Sequence, residues 1–239
     1  MNIEVDTHTH TILSGHAHST VMENAHAAAK LGLKGFVITE HGAMFPCAPP
    51  EININTYRYL PRHMEGVKVY HGIEADIVDY DGQIDIREKY LFQLEFAIAG
   101  LHLVVLGSGG LKKDTDAVVA ALANKHIDMI SHPDHPAYQL DYEVIAKEAG
   151  RMGKLLEIND QSLGYREGTL GNAHELVKWC KHFGTRVAVS SDAHSAYGMG
   201  RFDTALAVLA ENNFPEELVV NATQPRFEEY LEERTRRIG

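Results

Sequence analysis

Seven short, β-rich apolar runs recur along the chain, and nearly every one gives way to a histidine or a carboxylate. The runs are Ile3–Val5, Gly35–Thr39, Val67–Ile73, Phe96–Ala99, Met129–Ser131, Leu155–Ile158 and Arg186–Ser190. Asp6, His8 and His10 follow the first, Glu40 and His41 the second, and Glu74 the third. His102 and His132 end the fourth and fifth, Asn159 and Asp160 the sixth, Asp192 and His194 the seventh. Between the runs, Val21–Leu31, Asp116–Ala123, Val144–Met152, Ala173–Phe183 and Thr204–Ala210 repeat apolar residues every three or four positions, the period of an amphipathic helix. Phe227–Arg236 reads the same way, and Asp81-Gly82 predicts a hairpin between Ala75 and Ile86.

Strands that alternate with helices build a parallel sheet from βαβ units. The runs are apolar along their length, as expected where both faces of a sheet are covered. A doubly wound open sheet and a closed barrel both satisfy this pattern. In an open sheet, however, the polar strand ends would be strung along a line, whereas in a (β/α) barrel they converge on one mouth. The reading is therefore a single α/β barrel domain over residues 1–239. Residues two apart on a strand face the same side, so His8 with His10, and Asp192 with His194, can share that mouth. His16, in the loop Thr11–Ser19, can fold back over it.

The 15 histidines outnumber the 10 tyrosines and the 8 phenylalanines, and histidine is the commonest metal ligand. The net charge of −11 offers no basic patch to hold a nucleic-acid backbone. An anionic substrate would need positive charge from bound metal. Two cysteines, Cys47 and Cys180, demand no disulfide and suit a reducing cytoplasm, where they would be buried or half-buried thiols. The opening MNIEVDTHTH lacks a basic and apolar leader, and no run reaches the ~18 apolar residues of a membrane span. A monomer and a homo-oligomer are both compatible with this composition.

Asp6-Thr7-His8-Thr9-His10, with Ser14-Gly15-His16-Ala17-His18-Ser19-Thr20, resembles the first motif of the PHP (polymerase and histidinol phosphatase) family. Thr39-Glu40-His41-Gly42, Gly72-Ile73-Glu74-Ala75, Gly100-Leu101-His102, Ser131-His132-Pro133 and Ser191-Asp192-Ala193-His194 follow in family order. Leu60-Pro61-Arg62 and Leu156-Glu157-Ile158-Asn159 look most like the small stand-alone phosphatases of the YcdX type. The resemblance implies a distorted, TIM-like (β/α)7 barrel and three divalent metal ions. One ion would take His8, His10, Glu74 and Asp192. A second would share Glu74 with His102 and His132, and a third would take His16, His41 and His194. His18, His135 and Arg201 depart from the YcdX pattern, which bears on substrate preference rather than on the metals.

Imidazole and carboxylate without thiolate suit Zn²⁺ first, and Mn²⁺ or Fe²⁺ also. Such ions lower the pKa of bound water to roughly 7, giving a hydroxide nucleophile for in-line displacement at phosphorus. The expected activity is a phosphatase acting on a small phosphorylated molecule, with no stable nucleic-acid or membrane partner. Asp6 and Glu40 are placed to orient imidazoles, Arg62 and His135 to contact phosphate, and the Pro46–Pro50 stretch to cover the mouth. His26, His63, His71, His126, His174 and His182 fall outside the strand ends and read as packing or surface residues. A metal-dependent nuclease or phosphodiesterase shares much of the ligand pattern, and a non-catalytic metal-binding protein shares all of it. An amidohydrolase would carry lysine where His102 stands.

Overall fold

A computed structural model describes residues 1–239. In chain order its elements are β1 (Val5–Thr9), α1 (Val21–Leu31), β2 (Gly35–Ile38), β3 (His63–Met64), β4 (Val67–Asp76), α2 (Glu88–Leu91), β5 (Phe96–Gly100), α3 (Leu111–Ala123), β6 (Met129–Ile130) and α4 (Tyr142–Met152). There follow β7 (Leu155–Asn159), α5 (Asp160–Tyr165), α6 (Thr169–Phe183), β8 (Val187–Ser190), α7 (Asp203–Glu211) and α8 (Gln224–Ile238). Seven strands run parallel in the order β1-β2-β4-β5-β6-β7-β8, and β3 adds an antiparallel edge to β4. The predicted hairpin is present as a bridge between Ile77 and Ile84, with Gly82 at φ 75°. No helix is long and apolar enough to cross a membrane.

The barrel closes where β1 meets β8. Thr9 bridges Ala193, and His10 N–H donates to Ala193 O at 2.9 Å. Lower down, the seam is filled by Val219–Asn221: Val219 bridges Val187, while the Asn221 amide donates to Val5 O at 2.7 Å and Val189 O at 2.5 Å and accepts Val189 N–H at 3.0 Å. One side chain thereby supplies hydrogen bonds that an eighth parallel strand would otherwise make.

Two apolar layers fix the strands. The outer faces pack on the helices in a core of 48 buried residues. The inner faces meet in a cluster of 11, including Val5, Val37, Phe96, Met129 and Leu155, and α8 plugs the strand N-terminal end with Phe227 and Tyr230. Farther along the same strands, inward positions turn polar: Glu74, Ser131, Glu157, Asn159 and Ser190 are all buried. The tertiary setting thus divides each strand into an apolar floor and a polar ceiling.

His8 and His10 share the mouth as expected, but the first strand extends beyond its apolar run. Val5 faces inward, so simple alternation would also turn Thr7 and Thr9 inward. A one-residue register shift against β2 between Asp6 and Thr9 re-aims the chain, and His8 and His10 point to the interior instead. Asp6 and His8 consequently lie inside β1 rather than past it, and Glu74 lies inside β4.

Candidate metal centre

Seven histidines and two carboxylates from six parallel strands and their loops converge at the C-terminal mouth. Glu74, fully buried on β4, is their hub. Its Oε2 lies 3.2 Å from His8 Nε2, 3.5 Å from His10 Nε2 and 2.9 Å from His41 Nδ1. Its Oε1 lies 3.0 Å from His132 Nε2 and 3.4 Å from His102 Nε2. Asp192 Oδ1 closes the other side, 3.4 Å from His8 Nε2 and 3.2 Å from His10 Nε2. His16, which is exposed, folds back as expected, its Nε2 2.8 Å from His194 Nε2 and its ring centroid 5.0 Å from that of His41.

The imidazoles are held in one tautomer by the groups behind them. His8 Nδ1–H donates to Glu157 Oε1 at 2.7 Å, and His102 Nδ1–H to Asp76 Oδ1 at 2.6 Å. His16 donates to Ser14 O at 3.0 Å and His194 to Asp192 O at 2.9 Å. His10 donates to Ser14 Oγ at 3.1 Å, whose own proton goes to Glu40 at 2.5 Å. Each of these rings thereby turns its Nε2 toward the centre, the arrangement by which outer partners orient metal-ligating histidines.

These donors fit a cation. A tetrahedral site with bonds near 2.0 Å has ligand atoms about 3.3 Å apart. His8 Nε2 and His10 Nε2 are 3.0 Å apart, and their four distances to Glu74 Oε2 and Asp192 Oδ1 run from 3.2 to 3.5 Å. Those two carboxylate oxygens are buried with no hydrogen-bond partner, which costs free energy unless positive charge lies between them. Burial disfavours the charged form of His8, yet Asp192, Glu74 and Glu157 together hold its pKa well above the imidazole range. Burial likewise opposes ionisation of Glu74, but His8, His102 and His41 hold it well below the carboxylate range. The centre is built to take up positive charge.

Three overlapping trios have ligand atoms mutually within 4.8 Å: His8, His10 and Glu74; His10, His41 and His194; and His41, Glu74 and His102. His41 thus stands between two groupings, its Nδ1 against Glu74 and its ring 5.1 Å from that of His102. Two ligand-type residues also carry strained backbone. His132 at φ 30° and Asp192 at φ 52° occupy the left-handed region that non-glycine residues avoid. The buried Glu157 carboxylate accepts His132 N–H at 2.5 Å and helps hold that geometry.

Several expected roles change. Arg62 is not at the mouth: it pairs with Glu95 just before β5, toward the opposite end of the barrel, because β4 is long and β3 pairs with its lower half. Asp6 touches no imidazole. It accepts Ser191 N–H at 3.0 Å, Ser191 Oγ–H at 2.5 Å and Gly200 N–H at 3.1 Å, fixing the turn into Asp192. Glu40 acts on His10 only through Ser14. The cover over the mouth is Phe45, one residue before the expected Pro46–Pro50 stretch, stacked on His41 at 3.8 Å and 5°. Cys47 is exposed, whereas Cys180 is buried, and both are free thiols.

Sequence reasoning missed Glu157 and Asp76 as positioning carboxylates, although both lie two residues from a polar strand-end residue on the inward side. It also missed Arg166, which ends α5 above β7 and donates to Ser162 Oγ. His135 does lie at the mouth, its ring centroid 6.3 Å from that of His132. Burial, with the charge of Arg166 and His132 adding to it, pushes the His135 pKa down to about 4. Of the remaining histidines, His18 lies at the mouth, its backbone N–H donating to His194 O at 2.7 Å. The rest are elsewhere: His26 pairs with Glu65, His126 with Glu88 and His174 with Asn212, His182 packs on Trp179 and His71 on Tyr57, and His63 lies on β3.

Comparison with known proteins agrees with this geometry. A protein from Acetivibrio thermocellus named "Probable phosphatase" is 39% identical over 238 residues, covering 100% of this chain and 99% of that one. Another of that name, from Caldicellulosiruptor bescii, is 40% identical over 231 residues, 97% of this chain and 96% of its own. In fold, the chain is similar to histidinol phosphate phosphatase from Lactococcus lactis, solved with zinc, L-histidinol and phosphate. The TM-score is 0.59 at 16% identity, covering 90% of this chain and 95% of that one. A chain of archaeal ribonuclease P with mature tRNA gives a TM-score of 0.60 at 17% identity, covering 96% and 91%. Residues 6–189 match the PHP domain, and with relatives this similar over their whole length, the chain belongs to the PHP domain family.

Proposed function

We propose that this protein, as one domain over residues 1–239, is a metal-dependent phosphatase that hydrolyses a small phosphate monoester at a centre of three divalent ions. The observation that carries the reading is the pair of orphaned buried oxygens, Glu74 Oε2 and Asp192 Oδ1, facing imidazole nitrogens of His8 and His10 at cation-sharing distances. His8, His10, Glu74 and Asp192 would hold one ion. Glu74, His102 and His132 would hold a second, and His16, His41 and His194 a third. The all nitrogen and oxygen donor set suits zinc first, with manganese or iron as alternatives. When bound, such ions supply Lewis acidity toward phosphoryl oxygens and toward water.

The chain's own residues do the rest. Glu157, Asp76 and Ser14 fix the rings so that no reorganisation is needed on binding. Phe45 walls one side of the centre and keeps bulk water from His41. On the other side, His135 Nδ1 accepts Ala137 N–H at 3.1 Å, which leaves its Nε2–H free to donate to a phosphate oxygen. Arg166 adds a guanidinium near that imidazole, in the role expected of Arg62. No serine or cysteine nucleophile is required of the protein.

The test is metal content and hydrolysis of an aryl phosphate on one sample, for the wild type and for His132→Ala. The expected result is turnover by the metal-loaded wild type and a loss of at least a hundredfold in the variant. A fully loaded wild type inert toward phosphate monoesters would end the phosphatase reading, and equal activity in the variant would end this assignment of the site.

A further inference from the structure

Beside the metal centre, between the loops that follow β7 and β8, lies a cavity of about 760 Å³ that reaches His194. That volume falls within the range of small-ligand sites, about 300–1,000 Å³. Two large aromatic rings border it from different loops, Tyr165 at the end of α5 and Tyr197 after β8. They are 81% and 90% exposed, unusual for tyrosines that cover nothing. The one carboxylate there, Asp160, is already engaged, accepting Ala205 N–H at 2.9 Å at the start of α7. Arg201, the one guanidinium in the lining, is exposed on the same wall. The opposite side of the mouth is different in kind, with Phe45 over His41 and exposed Leu103 and Val104 just past His102.

We propose that this cavity is the leaving-group subsite and that the group it receives is a nucleoside, so that the substrate is a nucleoside monophosphate. The inference rests on the phosphatase reading above. A base can stack its π face on an exposed tyrosine of this lining, and stacking of this kind is insensitive to which base is present. A planar guanidinium pairs with ring nitrogens and exocyclic carbonyls of bases. The hydroxyl and amide groups of Ser195, Thr204 and Gln161 match the ribose hydroxyls, whereas an alkyl leaving group would leave them unpaired. A nucleoside is also uncharged, as suits a protein of net charge −11. The phosphate would lie over the metal centre and the nucleoside over β7 and β8.

The experiment compares kcat/KM for adenosine 5′-monophosphate and for glycerol 3-phosphate, which has no ring, on the metal-loaded enzyme. Calorimetric titration of adenosine into the same preparation accompanies it. The wild type is expected to prefer the nucleotide and to bind adenosine. Tyr197→Ala and Arg201→Ala are each expected to lower the preference about tenfold, through KM rather than kcat. Tyr59→Ala, an exposed tyrosine elsewhere on the surface, should leave it unchanged. Hydrolysis of glycerol 3-phosphate with no preference and no adenosine binding would overturn the subsite and leave the phosphatase standing. A preference for ribose 5-phosphate over the nucleotide would likewise overturn it. Adenosine binding that Tyr197→Ala abolishes, in an enzyme that hydrolyses neither ester, would remove the phosphatase reading and with it the leaving-group role, leaving only a nucleoside-binding cavity.

Discussion

Glu157→Gln is the substitution that most sharply tests how the centre is held. The carboxylate is wholly buried and has only donors around it. His8 Nδ1–H and Ser190 Oγ–H reach Oε1, while His132 N–H, at 2.5 Å, and Asn159 Nδ2, at 3.1 Å, reach Oε2. A glutamine fills the same volume, but its NH2 must face either His8 Nδ1–H and the Ser190 hydroxyl or the His132 and Asn159 N–H groups. The serine hydroxyl can turn to accept, so at least one hydrogen bond to a charged acceptor is lost, and about 1.5 kcal/mol is the lower bound. For a domain of this size that lowers Tm by about 3–6 °C or more. The imidazole of His8 loses the partner that fixes its tautomer, and changes of this kind cost about 10–100-fold in metal affinity. Thermal melting and zinc competition against a chelator measure the two effects separately. Zinc affinity within twofold of the wild type, in a protein whose melting temperature has fallen, would refute the idea that this carboxylate presents His8 to the metal.

Three further outcomes are expected. Saturating the protein with zinc at about 100 times its Kd should add about 2.7 kcal/mol, raising Tm by about 5–11 °C over chelator-treated protein; equal melting of both forms would contradict a metal among Glu74 and Asp192. His71, pushed down to about 4 by burial and by Arg62, binds its proton less tightly when folded than at its ordinary value of 6.5. The unfolded chain then holds more protons between those values, so stability rises with pH from about 4 to 6.5 and is lost on acidification. His71→Gln should flatten that slope in urea melts, and an unaltered slope would rule out His71 as its source. Gly42→Ala would place a Cβ 2.1 Å from Asp85 Oδ1, whose carboxylate accepts Met44 N–H and Asp76 N–H. Overpacking there should cost about 1–3 kcal/mol by chemical denaturation, and a cost under 0.5 kcal/mol would show that Asp85 moves freely.

The nine ligand-type residues and the parallel barrel were legible because each strand announces itself by apolar composition and stops at a metal-binding side chain. The apolar runs marked only the floor of the barrel, however. His8 and Thr9 are strand residues with polar side chains, buried because neighbouring strands supply their partners, Glu157 for His8 and Val37 O for Thr9, and composition cannot reveal such partners. For the same reason Glu157 and Asp76 passed unnoticed: a carboxylate inside a strand is readable as a positioning group only once the imidazole it meets, 149 or 26 positions away, is known. Arg62 failed in the other direction. Its local sequence suggested a phosphate contact, but the pairing of β3 with the lower part of β4 sends it away from the mouth.

The amide of Asn221 has a consequence for how the molecule comes into being. Thr9 and Ala193 can meet only if the first and last strands are clamped, and the clamp includes a residue beyond both of them in the chain. During synthesis, His8 and His10 leave the ribosome long before Asp192, and the residue that locks them beside it follows later still. The growing polypeptide therefore presents isolated histidine pairs and no finished cage. Bringing these nine side chains together becomes a property of the completed fold, acquired in its last steps of assembly.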